Sequence, residues 1–487
     1  MSEQGCNDNN QTSFRGFWLL SCLLFGLIST IFNNNSLAQS TKKQADLIVY
    51  GEYVVTMRED QQVIKDGAVA ILNNKILAVA SRTEILNAYF SNQQIDGVNK
   101  ILMPGLVNGH THSAMTLFRG MADDLKLMDW LNQYIFPMEK QFVDQEFIRI
   151  GSQLACWEMI KGGTTTFVDM YFYPEVISKE IVECGLRAIV GAPSIDFPSP
   201  GFKGWDDSFA SAVNFVTTWQ GKHERITPAF APHAPYTVSP EHLKQLAMTA
   251  TKLNAPIMIH LAESNSESNI INERYGTTPV AHVAGIGLLD NVNLIAAHLV
   301  YPTATDMHLL SKKNIGAIHN PSSNLKLAAG IAPIVEMLDK GILVGLGTDG
   351  AASNNDLDMW EEMRLAALIH KVNNDDSTAI PAFTALSMAT RMGTEAIGLG
   401  NITGQLKPGY RADMIQVSLD DLRLMPIYDV ISHLVYVIDS SDVTTSIVSG
   451  KVLMLEGNIL TMNESKLKND IAIISQKIKQ VLVRNKH

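Results

Sequence analysis

Residues 101–112, ILMPGLVNGHTH, combine a nearly continuous apolar run with two histidines at its end, His110 and His112. Strands that are buried on both faces of a sheet have this apolar texture. An H-x-H pair alone is weak evidence for a metal site, because two polar residues in a turn have the same pattern. The stretch therefore predicts a buried strand, and the role of its histidines depends on how other runs end.

Seven further apolar runs follow along the chain, and most of them precede a helical pattern. Alternation of buried strands with helices predicts a parallel sheet. Eight such units over about 300 residues predict an α/β fold of the (β/α)8 TIM-barrel type, whose catalytic residues come from the carboxyl ends of the strands. The further runs are TTTFVDMYFY (164–173), LRAIVGAPSID (186–196), ITPAFAPHAPYT (226–237), PIMIHLAES (256–264), VNLIAAHLV (292–300), IGAIHNPSSN (315–324) and ILVGLGTDGAAS (342–353).

Both flanks of the barrel region have a different texture, with short β-rich runs separated by Asn, Asp and Gly. Such runs predict short strands joined by turns. We expect residues 45–103 and 404–463 to pair into one discontinuous small β-sandwich domain, with the barrel at 104–403 between them. Residues 464–487 have helix-forming composition and predict a C-terminal helix.

The first residues of the sequence have the pattern of a secretory signal peptide. Arg15 precedes the apolar run FWLLSCLLFGLISTIF (17–32), and Ser36-Leu37-Ala38 supplies a small-x-small cleavage site. We expect removal of residues 1–38 and export to the periplasm, or a cytoplasmic location if the leader is not functional. A retained anchor is the alternative, although the run is short for a span of about 20 residues. Since there is no second hydrophobic span, we expect a soluble mature protein.

Composition excludes some partners. The net charge of −11 and pI near 5.6 come with no basic stripe that could neutralise phosphates, so we expect no nucleic-acid partner. A hydrophobic content of 46% is ordinary for a globular protein with ample core. Beyond the leader only Cys156 and Cys184 remain, too few for a disulfide framework, and we expect core or surface thiols.

Polar residues end most of the eight runs. A lone histidine in a loop is more often a hydrogen-bonded residue than a ligand, but that explanation does not account for five strand ends at once. The carboxyl ends of barrel strands meet at one face, so the pattern predicts a metal site there. The residues are His110 and His112 in run one, His233 in run four, His260 and Glu263 in run five, His298 in run six, His319 in run seven and Asp349 in run eight.

Several imidazoles with one carboxylate suit Zn²⁺, with Fe²⁺ as the alternative. A catalytic zinc site needs three or four protein ligands and one position for water, whose pKa the ion lowers to about 7. On a strand, residues i and i+2 point to the same face, which explains the H-x-H spacing. The predicted ligands are His110, His112, His260 and Asp349.

Three residues are candidate proton carriers. Glu263 follows His260 by three residues, and we predict that it is the general acid. The alternative is a glutamate that only interacts with a helix dipole. His298 is either a fifth ligand or, as we favour, a group that polarises the attacking water or the substrate. Asp349 can both ligate the metal and accept the proton of the water.

Five motifs together resemble the amidohydrolase superfamily: PGLVNGHTH, APHAPYT, HLAES, AAHLV and GTDGAAS. The resemblance extends to the late KPGYRADM segment and covers most of the mature chain. Within the superfamily, residues 115–140, MTLFRGMADDLKLMDWLNQYIFPMEK, resemble the S-adenosylhomocysteine and 5′-methylthioadenosine deaminases. That family hydrolyses the 6-amino group of adenine nucleosides to give inosine analogues and ammonia. The resemblance implies the same four metal ligands, with Glu263 and His298 as catalytic partners.

The resemblance also implies substrate contacts. Glu139 would accept hydrogen bonds from the ribose hydroxyls, His233 would contact the purine, and Trp130 would lie beside the substrate. The alternatives are simple lid packing for Trp130 and an exposed helix position for Glu139. Binuclear relatives bridge two metals with a modified lysine at the end of strand four. Since APHAPYT has no lysine, we expect one metal ion per subunit.

Two departures from the family pattern bear on the substrate. Members that handle S-adenosylhomocysteine well can place arginines after strand three, whereas residues 195–207, IDFPSPGFKGWDD, contain none. Lys203 offers only a point charge there. The sequence therefore favours methylthioadenosine or a similar 5′-modified nucleoside. The second departure is the leader, because these deaminases are usually cytosolic, and export would place the site among scavenged nucleosides.

Other interpretations remain open at this point. The same machinery serves guanine, other aminated heterocycles and chlorinated or aminated triazines, and only pocket residues separate these substrates. A catalytically dead barrel that binds a ligand or partner is a different class of function, because a fold does not by itself prove activity. A homo-oligomer is expected only by family analogy.

Overall fold

The computed structural model describes residues 42–290, 293–313 and 315–484. The predicted signal peptide, residues 1–38, lies outside the described residues. The strands, numbered in chain order, are β1 Lys43–Gln44, β2 Leu47–Val55, β3 Val63–Leu72, β4 Lys75–Ser81, β5 Tyr89–Phe90, β6 Gln94–Ile95, β7 Lys100–Pro104, β8 Leu106–Thr111, β9 Thr164–Met170, β10 Arg187–Ser194, β11 Ile226–Pro232, β12 Ile257–Leu261, β13 Leu294–His298, β14 Ile315–His319, β15 Leu343–Leu346, β16 Met414–Ser418, β17 Val443–Val448, β18 Lys451–Leu455 and β19 Asn458–Ile459.

Strands β8 to β15 form one parallel sheet in which each strand pairs with the next along the chain. The backbone N–H of Asp349, just after β15, donates to the carbonyl of His110 on β8 at 3.0 Å, which joins the last strand end to the first. The predicted (β/α)8 barrel is therefore confirmed. All eight predicted runs contain a barrel strand.

Helices cover the outside of the barrel and part of its mouth. A π-helical turn, Leu131–Ile135, separates two short helices in the segment that follows β8. The helices are α1 Arg82–Ala88, α2 Leu127–Trp130, α3 Phe136–Phe142, α4 Gln145–Gly162, α5 Pro174–Cys184, α6 Trp205–Trp219, α7 Pro240–Leu253, α8 Asn265–Tyr275, α9 Pro279–Gly285, α10 Ala304–Ser311, α11 Pro321–Lys326, α12 Ile334–Asp339, α13 Met359–Asn373, α14 Ala382–Met388, α15 Arg391–Ala396, α16 Val430–Tyr436 and α17 Glu464–Arg484.

The two flanks of the barrel share a second sheet of nine strands. Its central strand β7 pairs in parallel with β2 and antiparallel with β16, so it joins the N-terminal to the C-terminal segment. A buried ion pair, Arg187 Nε to Asp413 Oδ2 at 2.7 Å, connects barrel strand β10 to the residue before β16. The expected pairing of the two flanks into one β-region is confirmed.

Apolar side chains from the barrel strands fill its interior, including Val107, Ile189 and Ile318. Filling by branched side chains is typical of such barrels. Cys156 and Cys184 are both buried with their Sγ atoms 2.7 Å apart, so both are core thiols. Across the described ranges, the helices include none with the length and apolar character needed to cross a lipid bilayer.

Candidate active site

Four side chains meet at the carboxyl ends of the barrel strands. One ligand atom from each lies within 4.8 Å of all the others. Asp349 Oδ1 is 3.4 Å from His110 Nε2 and 3.2 Å from His112 Nε2. The structure thus brings together all four residues that the sequence predicts as ligands: His110, His112, His260 and Asp349.

Backbone carbonyls orient two of the imidazoles. His112 Nδ1 donates to the carbonyl of Met170 at 2.6 Å, and His260 Nδ1 donates to the carbonyl of His233 at 2.8 Å. Both rings therefore direct Nε2 toward the centre of the site, where the two Nε2 atoms are 3.2 Å apart. Metal-binding histidines are commonly oriented in this way: one ring nitrogen donates its proton to a carbonyl, and the other is unprotonated and can ligate the metal.

Two serines hold the carboxylate of Asp349. Ser323 Oγ and Ser353 Oγ donate to Asp349 Oδ2 at 2.7 and 2.9 Å, while Oδ1 accepts the backbone N–H of Gly350 at 2.8 Å and is directed at the histidines. The backbone of Asp349 has φ +62°, a left-handed conformation that turns the chain just after β15. Sequence reasoning missed both serines, because serines in the PSSN and GAAS stretches carry no specific signal.

The charges at this site suit a divalent cation. Burial opposes ionisation of Asp349, but the adjacent imidazoles of His110 and His112 hold its pKa well below the usual range. Burial lowers the pKa of His110 to about 4, so this imidazole is neutral and can act as a ligand. Its Nε2 is buried and has no hydrogen-bond partner in the part of the chain that the structure describes. Three imidazole nitrogens and one carboxylate oxygen are a donor set for Zn²⁺ or Fe²⁺.

Glu263 and His298 lie beside the group of four. Glu263 is buried at the cavity wall, and its Oε1 is 3.8 Å from His298 Nε2. His298 Nδ1 donates to Asn324 Oδ1 at 2.9 Å, so its Nε2 faces the site. Burial raises the pKa of Glu263, which favours the protonated form that a general acid needs. His298 is not a member of the four-residue group.

These residues open into a cavity of about 580 Å³. Its volume is in the range of small-molecule sites. One wall, the barrel wall, consists of the strand ends, a second, the lid wall, consists of residues 127–143, and the segment 195–201 after β10 also lines the cavity. The barrel wall contributes His112, His233, His260, Glu263 and Asp349, and the lid wall contributes Leu127, Trp130, Leu131, Ile135, Phe136, Glu139, Lys140 and Val143.

Trp130 and Glu139 are both buried on the lid wall, each with 6% of its surface exposed. Glu139 is therefore not an exposed helix residue. Its Oε1 accepts a hydrogen bond from Tyr171 Oη at 2.8 Å, a partner that sequence reasoning missed. Burial raises the pKa of Glu139 to about 7, although the bond from Tyr171 acts in the opposite direction.

Of three other residues named in the sequence analysis, one lines the cavity and two do not. His233 lines the cavity, with its Nδ1 3.0 Å from Thr237 Oγ1, and burial lowers its pKa to about 4. His319 lies outside the site, because its Nε2 is 3.1 Å from Nε2 of His370 on α13. Lys203 is exposed and is not part of the cavity wall.

Comparison with known proteins assigns this chain to a family of metal-dependent hydrolases. The model of the amidohydrolase family matches residues 101–453. A 5-methylthioadenosine/S-adenosylhomocysteine deaminase of Pelotomaculum thermopropionicum is 45% identical over 424 residues, which cover 87% of this chain and 96% of the relative. A 5′-deoxyadenosine deaminase of Methanosarcina barkeri is 44% identical over 427 residues, covering 88% and 96%.

Solved structures agree with this relationship. An adenosine deaminase from Xanthomonas campestris with bound zinc superimposes with a TM-score of 0.88 at 36% identity, covering 90% of this chain and all of that one. A triazine hydrolase from Arthrobacter aurescens has a TM-score of 0.81 at 22% identity, over 88% of this chain and 99% of its own. Because the identity is so low, this likeness shows a shared fold and nothing more. By sequence and by structure, this chain belongs to the amidohydrolase family.

Proposed function

We propose that this protein is a metal-dependent deaminase that converts the 6-amino group of a 5′-modified adenosine to the inosine analogue and ammonia. The observation that carries the proposal is one cavity with two kinds of wall. The barrel wall places a buried carboxyl, Glu263, beside the four-residue group, and the lid wall contributes a second buried carboxyl, Glu139, to the same cavity. Relatives named as deaminases of adenine nucleosides support the same reaction.

The metal would be one zinc ion per subunit, with Fe²⁺ as the alternative. When bound, such an ion lowers the pKa of a coordinated water toward neutrality. The convergent imidazoles and the anionic carboxylate support this assignment. The ion would be held by His110, His112, His260 and Asp349.

Three residues of the chain would move or hold protons. Asp349 accepts the proton of the attacking water, since Oδ1 faces the histidines while the serines occupy Oδ2. Glu263, whose pKa is raised by burial, donates to N1 of the purine as C6 is attacked. His298 Nε2 faces Glu263 and polarises the attacking water. Zinc deaminases of other folds also use a glutamate that is not a ligand as the proton carrier.

The remaining contacts would orient the nucleoside. Glu139 accepts hydrogen bonds from the ribose hydroxyls, because a carboxylate can accept from two neighbouring donors. Trp130 offers a flat apolar face to the base or sugar. His233, neutral because of its burial, contacts the purine.

The 5′ substituent would be small and apolar, as in methylthioadenosine. The cavity wall formed by residues after β10 includes Phe197 and Pro198, and Phe136 of the lid wall packs near Phe197, with ring centroids 6.3 Å apart. Lys203 is exposed and is not among the residues that line this wall. Lys140 is the one lysine among the residues that line the cavity, and no arginine is among them, so an amino-acid carboxylate would meet a point charge without a bidentate partner, which disfavours S-adenosylhomocysteine.

The test is an ultraviolet assay with zinc-loaded protein. Loss of the adenosine chromophore is followed with methylthioadenosine, 5′-deoxyadenosine, adenosine and S-adenosylhomocysteine in parallel. Turnover with the first two at the highest kcat/KM supports the proposal. Absence of turnover on every adenosine at full zinc content overturns it, and guanine and the triazines are then the next substrates to assay.

We also propose that the protein is exported. The basic Arg15, the apolar run at 17–32 and the cleavage pattern ending at Ala38 support this location. Expression of the whole chain with cell fractionation and N-terminal sequencing tests it. A periplasmic protein that begins at Gln39 supports export, and a cytoplasmic protein that retains residues 1–38 contradicts it.

A further inference from the structure

Glu267 is a buried carboxylate that the proposed reaction does not use. It lies in the first turn of α8 with 1% of its surface exposed. Its Oε1 accepts the backbone N–H of Ala262 at 3.0 Å, and its Oε2 accepts the backbone N–H of Glu263 at 2.8 Å. Both oxygens are therefore bonded to the short segment from which the Glu263 side chain projects.

The same segment is held from its other side. The carbonyl of Ala262 accepts the backbone N–H groups of Val300 at 2.9 Å and Tyr301 at 3.0 Å, from the loop after β13. Ala262 itself has φ +51°, a left-handed conformation that is unfavourable for a residue with a Cβ. Such a conformation persists only where surrounding bonds determine it.

We propose that Glu267 is a positioning residue, which holds the backbone of Ala262 and Glu263 so that the Glu263 carboxyl points into the cavity. The inference rests on the proposed function, in which Glu263 carries the proton. A carboxylate is suited to this task because it has two acceptor oxygens and no donor, whereas an amide presents one of each.

The test compares Glu267→Gln and Glu267→Ala with a matched control, Asp306→Asn. Asp306 is equally buried, with 1% exposed, and its carboxylate also accepts a backbone N–H, that of Thr303 at 2.8 Å. It is not part of the cavity wall. If the loss of a buried hydrogen bond is by itself enough to lower kcat, all three variants should have a lower kcat. If Glu267 positions Glu263, only the two variants at Glu267 should have a lower kcat.

In zinc-loaded full-length protein we expect kcat to fall about 100-fold in Glu267→Ala, since a small displacement of a catalytic group has effects of this order. Glu267→Gln keeps one acceptor and should fall less. KM and zinc content should stay near wild type in both, because the lid wall and the four ligands are intact. Asp306→Asn should lower Tm without lowering kcat. Unchanged kcat in Glu267→Ala, or an equal loss of kcat in Asp306→Asn, overturns the proposal.

A second measurement is independent of the substrate. Amide hydrogen exchange of the peptide containing Ala262 and Glu263 should be faster in Glu267→Gln than in wild type, and unchanged in Asp306→Asn. If the wild type deaminates no adenosine, the proposed function fails while this exchange difference still supports positioning. Equal protection of these amides in wild type and Glu267→Gln contradicts it, even where the alanine variant does not fold.

Discussion

The two walls of the cavity are built on different physical principles. On the barrel wall, backbone carbonyls orient two of the imidazoles: His112 Nδ1 donates to the carbonyl of Met170, and His260 Nδ1 donates to that of His233. The lid wall is mainly apolar, and its buried carboxyl, Glu139, is bonded to a tyrosine of the barrel side. Under the proposed function, the barrel wall would carry out the reaction and the lid wall would select the substrate.

The strongest test of this division removes the metal ligands. His260→Ala deletes one of the three imidazoles, and we expect zinc content below one per subunit and activity near the detection limit. Chelation of the wild type should abolish activity as well, and added zinc should restore it. Activity that survives in zinc-free protein would contradict the assignment of the chemistry to the barrel wall. Atomic absorption and the ultraviolet assay are the two measurements.

Glu263→Gln should lower kcat about 1,000-fold, because a positioned proton donor contributes on the order of 100- to 10,000-fold. Zinc content and KM should change little, since Glu263 belongs to neither the four-residue group nor the lid wall. Steady-state kinetics with methylthioadenosine separate the two constants. A rise in KM with unchanged kcat would assign Glu263 to substrate binding and would contradict its assignment to the chemical step.

Glu139→Gln sharpens the comparison from the other side. Loss of a charged acceptor for hydroxyl groups is worth about 1.5–3 kcal/mol, so KM for nucleosides should rise about 10- to 100-fold. Turnover of a bare base, where there is any, should not change, and it serves as the internal control. An equal effect on nucleosides and bases would mean that Glu139 does not bind the ribose hydroxyls.

The pH dependence of KM gives the smallest effect. Burial raises the pKa of Glu139 above its ordinary value to about 7, so the accepting carboxylate is present above pH 7 and lost as the pH falls. KM for a nucleoside should therefore rise up to about tenfold between pH 8 and pH 6. In Glu139→Gln this dependence should disappear. A profile that persists unchanged in the variant would assign it to another group.

The barrel wall was predictable from the sequence because strand periodicity and fold topology bring distant residues to one face. His319 shows where that reasoning stops. Its neighbour Ile318 faces the barrel interior, so His319 faces the opposite side, toward His370. His298 also ends its strand, but its φ of +77° turns it into the site. Strand alternation carries no information about such a local turn.

The lid wall was predictable only by family resemblance. Trp130 and Glu139 lie on short helices around a π-helical turn, and nothing in their spacing indicates that they face a cavity. The supporting residues were not predictable by either route. Ser323, Asn324 and Glu267 are types common in loops and first helical turns, and only the folded chain shows which atoms they bond.

Strand β7 has a consequence for how the chain folds. It pairs with β2, which is nearby in the sequence, and with β16, which follows the entire barrel in the sequence. Pro104 therefore lies opposite Met414. Contacts between residues so far apart form slowly, because a long loop must close first. During synthesis, β7 emerges long before β16 and presents an unpaired edge until the C-terminal segment arrives. Completion of the second sheet is therefore a late folding step, and a nascent chain that waits at this point exposes an edge on which aggregation can begin.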